Sequence, residues 1–176
     1  MESHAKAAGH AIHQQLIVFP LGLLATAVLF DILRLIIGHT GFAVASYYMI
    51  GAGVLAGLLA AVFGLIDYLA IPAGTRAKRV GLLHGIGNVV VVVLFALSWL
   101  LRGDQPHHTP TPLAFVLALL GAAIAIGTGW LGGELVGRLG VGVDPDANLD
   151  ARASYTTGIR LGRGAAPGEA SRPGPR

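Results

Sequence analysis

The chain has no cysteine, which excludes disulfides, iron–sulfur clusters and thiolate metal sites within it. Charge is scarce as well. Only 12% of its 176 residues are Asp, Glu, Lys or Arg, against about 25% in a soluble domain. No phosphate-binding glycine loop, zinc-protease helix or nucleophile–base arrangement occurs, and Ser46 and Ser98 have no His or Asp at helical spacing. Hydrolytic chemistry therefore has no support. The formal net charge of +3 is spread over loops and tail. It reads as topology signal rather than a nucleic-acid footprint, so no nucleic-acid partner is expected.

What the chain does have is hydrocarbon: 54% of its residues are hydrophobic. Four apolar stretches, at about residues 16–37, 42–71, 80–101 and 113–136, reach the roughly 20 residues a spanning helix needs. The connections 38–41, 72–79 and 102–112 are short, so successive spans must be antiparallel neighbours. The expected fold is all-α: a polytopic, up-down four-transmembrane-helix bundle over 1–143, embedded in a lipid bilayer. Residues 144–176 are rich in Gly, Pro and Arg without apolar periodicity and are expected to be a disordered tail. The first stretch reads as a span rather than a cleaved signal, because one Lys is balanced by one Glu before it and no small-residue cleavage site follows.

Arg76, Lys78 and Arg79 lie in the second connection, and Arg138 and Arg152 on the C-terminal side; Arg34 and Arg102 lie opposite. By the positive-inside bias, both termini face the cytoplasm across a cell inner membrane. Gly121, Ala125, Gly129, Gly133 and Gly137 recur every four residues, as do Gly53, Gly57 and Ala61. Such rows let helix backbones approach closely, within the bundle or between copies in a homo-oligomer. Pro20 is expected to kink the first span.

Ionisable groups are expensive in hydrocarbon and are functional candidates there. His10, His13, Asp67, His84 and Glu134 all fall toward the cytoplasmic ends of the spans, with Asn88 one turn deeper than His84 and Trp130 one turn before Glu134. Neutral imidazoles ligate transition metals and haem iron, and carboxylates orient such imidazoles. The set has the chemistry of a metal site (His10, His13, His84, Asp67, Glu134) or a b-type haem site (His84 with His13 or His10, beside Asn88). Each member also has a plainer reading. His10 and His13 suit interfacial water, Asp67 a cap beside Arg76 and Lys78, and Glu134 an i,i+4 pair with Arg138. His84 with Asn88 suits an interhelical hydrogen bond, and Trp130 an interface anchor. At the outer end Asp31 and Arg34, three residues apart, are expected to form a structural ion pair. His13 and Asp31 share a face, so a proton path between them is a weaker alternative. His107 and His108 are expected to be solvated.

These residues carry a resemblance. The blocks Gly9-His10-Ala11-Ile12-His13, Phe19-Pro20-Leu21-Gly22-Leu23-Leu24, Phe63-Gly64-Leu65-Ile66-Asp67-Tyr68 and Leu83-His84-Gly85-Ile86-Gly87-Asn88 resemble a bacterial family of four-helix membrane proteins, domain of unknown function 2231. So do Gly129-Trp130-Leu131-Gly132-Gly133-Glu134-Leu135-Val136 and Gly140-Val141-Gly142-Val143, so that the likeness covers 9–143. The resemblance implies an integral membrane protein and no fixed activity. Relatives fused to Rieske-type iron–sulfur domains imply a redox partner. The chain departs from the family pattern at Ala11 and Gln14, where proline follows each histidine, and at Leu139, where many relatives carry histidine. Three readings compete: a redox or metal/b-haem module, a non-catalytic scaffold or partner subunit, and a small proton or ion transporter.

Overall fold

The computed structural model describes residues 1–151, 153–154 and 160–161. Five helices carry the fold: α1 (Ile12–Leu16), α2 (Val18–Ile37), α3 (Gly41–Ala70), α4 (Arg76–Leu100) and α5 (Pro112–Gly137). Together α1 and α2 make one rod, so four helical segments are long and apolar enough to cross a membrane: Ile12–Ile37, Gly41–Ala70, Arg76–Leu100 and Pro106–Gly137. The break between α1 and α2 follows from Pro20. It has no N–H to offer the carbonyl of Leu16, the last residue of α1, and its ring crowds that carbonyl. Helical hydrogen bonds resume on either side, from the Ile17 N–H to the His13 carbonyl at 3.1 Å and from the Leu21 N–H to the Ile17 carbonyl at 3.2 Å.

Helix ends are set by local chemistry. Gly38 takes the left-handed conformation (φ 79°) that closes α2. Thr75 accepts the Lys78 N–H at 3.1 Å and so starts α4 at Arg76. The basic residues Arg76, Lys78 and Arg79, expected in the connection, therefore lie on the first turn of α4. Thr111 caps α5 by accepting the Ala114 N–H at 3.2 Å, with Pro112 at the first helical position. With 30 residues, α3 is about 45 Å long, well beyond the roughly 30 Å of a hydrocarbon core.

The bundle is apolar inside and out, and what distinguishes the two is size. Ala27, Ala43, Ile50, Phe95, Ala114 and Ala118 are fully buried, whereas Ile36, Leu55, Leu69 and Ile126 are each at least two-thirds exposed. That is the pattern expected where lipid solvates large aliphatics and helices associate by close packing. The central cluster joins Leu24 and Val28 of α2, Ile50 and Val54 of α3, Val91 and Phe95 of α4 and Ala118 of α5.

The glycine rows split. A methyl group on Gly53 would lie 2.7 Å from Leu24, one on Gly57 3.3 Å from Val92, and one on Gly121 2.8 Å from Phe95. These three are sites of close approach. Gly129, Gly133 and Gly137 have no neighbour within 4 Å. Four-residue steps turn the row by about 40° each on a 3.6-residue helix, so it begins in the interface and ends on the outside.

At the end of the bundle where α1 begins and α5 ends, β1 (Ala5–Ala7) pairs with β2 (His10–Ala11) and β3 (Arg160–Leu161), both antiparallel. The turn between β1 and β2 has Ala8 at φ 49° and Gly9 at φ 82°, the double positive-φ geometry of a tight hairpin. β3 lies in the segment expected to be disordered. The rest of that expectation, beyond residues 144–151 and 153–154, falls outside the described residues.

Candidate functional site

Two polar layers interrupt the apolar bundle, one toward each end. The first is built on His13 of α1 and His84 of α4. Their ring centroids are 6.4 Å apart and the rings perpendicular. His13 rests on Gly64 of α3, where a methyl group would meet the ring at 2.8 Å. His84 rests on Gly132 of α5, at 3.1 Å in the same sense. Each Nδ1 lies 2.9 Å from a backbone carbonyl, Ala60 for His13 and Thr128 for His84. A carbonyl only accepts, so each Nδ1 carries a proton, and in the neutral ring Nε2 is then the nitrogen with the lone pair.

Asn88 and Thr128 complete this layer. The Asn88 amide nitrogen donates to the His84 carbonyl at 2.9 Å and lies 3.2 Å from its Nε2. The Thr128 hydroxyl donates toward Asn88 Oδ1 at 3.2 Å and the Ala125 carbonyl at 3.1 Å. The order Thr128, Asn88, His84 fixes the amide and hence the face of the ring. Thr128 was not legible as a site residue, because a single threonine in an apolar run usually bonds its own helix.

The other expected members are elsewhere. His10 is exposed on β2, with its Nε2 3.0 Å from the Ser154 hydroxyl. Asp67 accepts from the Ser3 hydroxyl at 2.8 and 2.9 Å and from the His4 N–H at 2.8 Å. Glu134 bonds Arg76 at 2.6 Å, a partner on the facing helix, in place of Arg138 one turn on. Among the described residues no group of three or more His, Cys, Asp or Glu is gathered to hold a metal ion. The five-membered set thus reduces to two imidazoles, because Asp67 is engaged by the N-terminal segment and Glu134 by Arg76 of α4.

The second layer corrects the expected ion pair. Asp31 is fully buried and is held by Arg102, not by Arg34. The Arg102 guanidinium reaches both carboxylate oxygens, at 2.8 and 2.6 Å, and also bonds Ser46 at 3.0 Å and Ser98 at 3.1 Å. The Ser98 hydroxyl donates to the Ala114 carbonyl at 2.6 Å. A planar fork meeting a carboxylate bidentately and satisfied at its remaining donors is the arrangement that keeps a charge pair tolerable out of water. Arg102, Ser46 and Ser98 were missed because they come from α3 and the end of α4, at no fixed spacing from Asp31.

Above this layer His108, expected to be solvated, lies flat on Tyr47 at 3.8 Å and 8°, and Tyr47 stacks in turn on Trp99. His107 and His108 both have positive φ, 53° and 52°, and His108 Nδ1 faces the Arg102 carbonyl at 3.3 Å. Trp130 is 68% exposed on α5. The apolar cluster of Leu24, Val28, Val54 and Val91 lies between the layers, and Asp31 is tied up by Arg102, so the weaker alternative of a path from His13 to Asp31 finds no continuous polar lining among the described residues.

Against known proteins, one family model matches: the one described as predicted membrane protein (DUF2231), over residues 9–145. The chain belongs to that family. No curated protein and no solved structure matches it.

Proposed function

We propose that this chain is a membrane-embedded redox module in which His13 and His84 are the two protein ligands of one cofactor, with b-type haem preferred over a bare transition-metal ion. The observation that carries the reading is the matched state of the two rings. Both donate Nδ1–H to a backbone carbonyl at 2.9 Å, which in the neutral ring leaves Nε2 as the atom to offer a metal. Metal-ligating histidines are oriented in this way, the second nitrogen fixing the tautomer and raising the basicity of the first. A structural zinc ion takes four protein ligands, whereas haem iron takes only one or two, the macrocycle supplying the rest. His13 and His84, whose ring centroids are 6.4 Å apart, would be the residues that hold it. When bound, such a group supplies one-electron chemistry. The chain's own part is to present two imidazoles and, through Asn88, to hold His84 in place. A Rieske-type or other redox protein is the partner this chemistry calls for.

The experiment is an absorption spectrum with metal analysis on protein purified from haem-replete cells. A Soret band that shifts on reduction and vanishes in both His13→Ala and His84→Ala is expected. Folded protein that is colourless and free of metal overturns the reading.

A partner-subunit or homo-oligomer reading has one observation of its own: Gly129, Gly133 and Gly137 lie open on the outside of α5, where another helix backbone could pack. Crosslinking that persists after both histidines are replaced favours it. For orientation we propose the cytoplasm for the end bearing Arg76, Lys78, Arg79 and Arg138. At the other end Arg102 is neutralised by Asp31, which sharpens the charge asymmetry. Reporter fusions at the two ends and in the 102–111 connection test it.

A further inference from the structure

His13 is the less securely built of the two imidazoles. His84 stands inside the 25-residue α4, whereas His13 stands on α1, five residues long and separated from α2 at Ile17. That short helix continues α2 through Ile17, itself helical (φ −62°, ψ −19°), but Pro20 withholds one backbone bond at that junction and so weakens the hold of α2 on α1. Further contacts seat α1 against the bundle.

That support comes from one stripe of α3. Ala60, Gly64 and Asp67 are spaced i, i+4, i+7 and so lie along one face. Ala60 accepts from the His13 ring and Gly64 underlies it. One turn further on, Asp67 grips the segment that leads into α1, through the Ser3 hydroxyl and the His4 N–H. The grip is reinforced at both sides. Ser3 Oγ accepts the Ala5 N–H at 3.2 Å, starting β1. Lys6, only 5% exposed, pairs with Glu2 and with Asp144 beyond α5. The β1–β2 hairpin then returns the chain to Ala11, the residue before α1.

We infer that Asp67 is the positioning residue of the imidazole pair: by clasping Ser3 and His4 to the end of α3 it holds α1 so that His13 faces His84. Only the purpose of the pair rests on the cofactor reading; the clasp itself rests on these contacts. Asp67 touches neither ring and acts through the seven residues of β1, the hairpin turn and β2.

The test reads the histidines directly. Full-length protein with 15N-labelled histidine is placed in lipid nanodiscs without added cofactor, and the ring nitrogens are observed by NMR. Wild type shows His13 and His84 as fixed Nδ1–H tautomers with slow ring-proton exchange. In Asp67→Ala, His13 exchange quickens by about tenfold or more, the size expected when hydrogen bonds to a carboxylate are lost, while His84 is unchanged. Asp67→Asn, which keeps one acceptor oxygen, falls between the two. Ser3→Ala, outside the bundle and unable to unfold it, moves His13 in the same direction. Unchanged His13 signals in Asp67→Ala and Ser3→Ala overturn the inference, as does an equal response at His84. Haem or metal is added afterwards as a separate arm. If nothing binds to wild type but His13 responds to the variants, the cofactor reading fails and the clasp stands. If cofactor binds wild type and Asp67→Ala alike with His13 unmoved, the reading stands and the clasp fails.

Discussion

At the scale of single residues, Asp31 and Arg102 dominate the energetics. Both side chains are wholly inaccessible, so removing either leaves a charge in the bundle with no partner. Arg102→Ala or Asp31→Ala should destabilise the fold by about 3–5 kcal/mol, whereas replacing both with apolar residues of similar volume should be far milder; reversible unfolding in mixed micelles measures the difference. The glycines under the two rings make a second prediction. Gly64→Ala should push His13 off its seat, and Gly132→Ala should shift His84 by a few tenths of an ångström. Gly129→Ala, with open space beside it, should change neither ring. Histidine NMR read against thermal stability separates ring displacement from global loss. His84 and Asn88 were legible as a pair in the sequence, since two polar residues one turn apart in a Val/Leu run have few alternatives. The partner of Asp31 was not. Local spacing favours Arg34, and nothing local says that Arg102, written at the edge of a loop, turns back into the bundle.

At the scale of elements, the spans were legible almost to their ends, because about 20 apolar residues between turn signals leave little choice of structure. The misjudged boundaries have local causes. Thr75 caps α4 ahead of its basic residues, and Thr111 does the same for α5. Pro20 was legible as a kink, but not its effect, which is to weaken the junction between α2 and the short helix that carries His13. Pro20→Ala should supply the missing N–H to the Leu16 carbonyl and fuse α1 to α2. Hydrogen exchange should then show continuous protection from Ile12 onward. The straightened rod should draw His13 from the Ala60 carbonyl and loosen its Nδ1–H. Continuous protection with His13 still bonded would mean that α2, not the clasp, dictates its place.

For the whole molecule, the least legible feature was the closure of one end by the first eleven residues and the chain beyond α5. No periodicity announces it, and its contacts join residues far apart in sequence: Lys6 to Asp144, Asp67 to Ser3. Its charges give a pH prediction. The Asp146 N–H and then Lys6 hold the Asp144 carboxyl below the ordinary value. Burial opposes the charge on Lys6, but Glu2 and Asp144 outweigh it and raise its pKa. Asp144 therefore contributes above the ordinary carboxylate range and loses that contribution as pH falls through its lowered value. Lys6 contributes below the ordinary lysine value and loses it as pH rises through its raised one. Amide protection of residues 5–11 should be flat across neutral pH, fall at both extremes, and lose part of its acid limb in Asp144→Asn.

The Asp31–Arg102 contact also bears on how the chain is made. Asp31 emerges in the first span and Arg102 only at the end of the third. Until the third span is synthesised, the first carries an uncompensated carboxylate, a cost of about 2.5–3.5 kcal/mol for insertion as a lone helix. The first hairpin is thus expected to settle in the bilayer only once Arg102 arrives. One ion pair makes the biogenesis of three spans a single event.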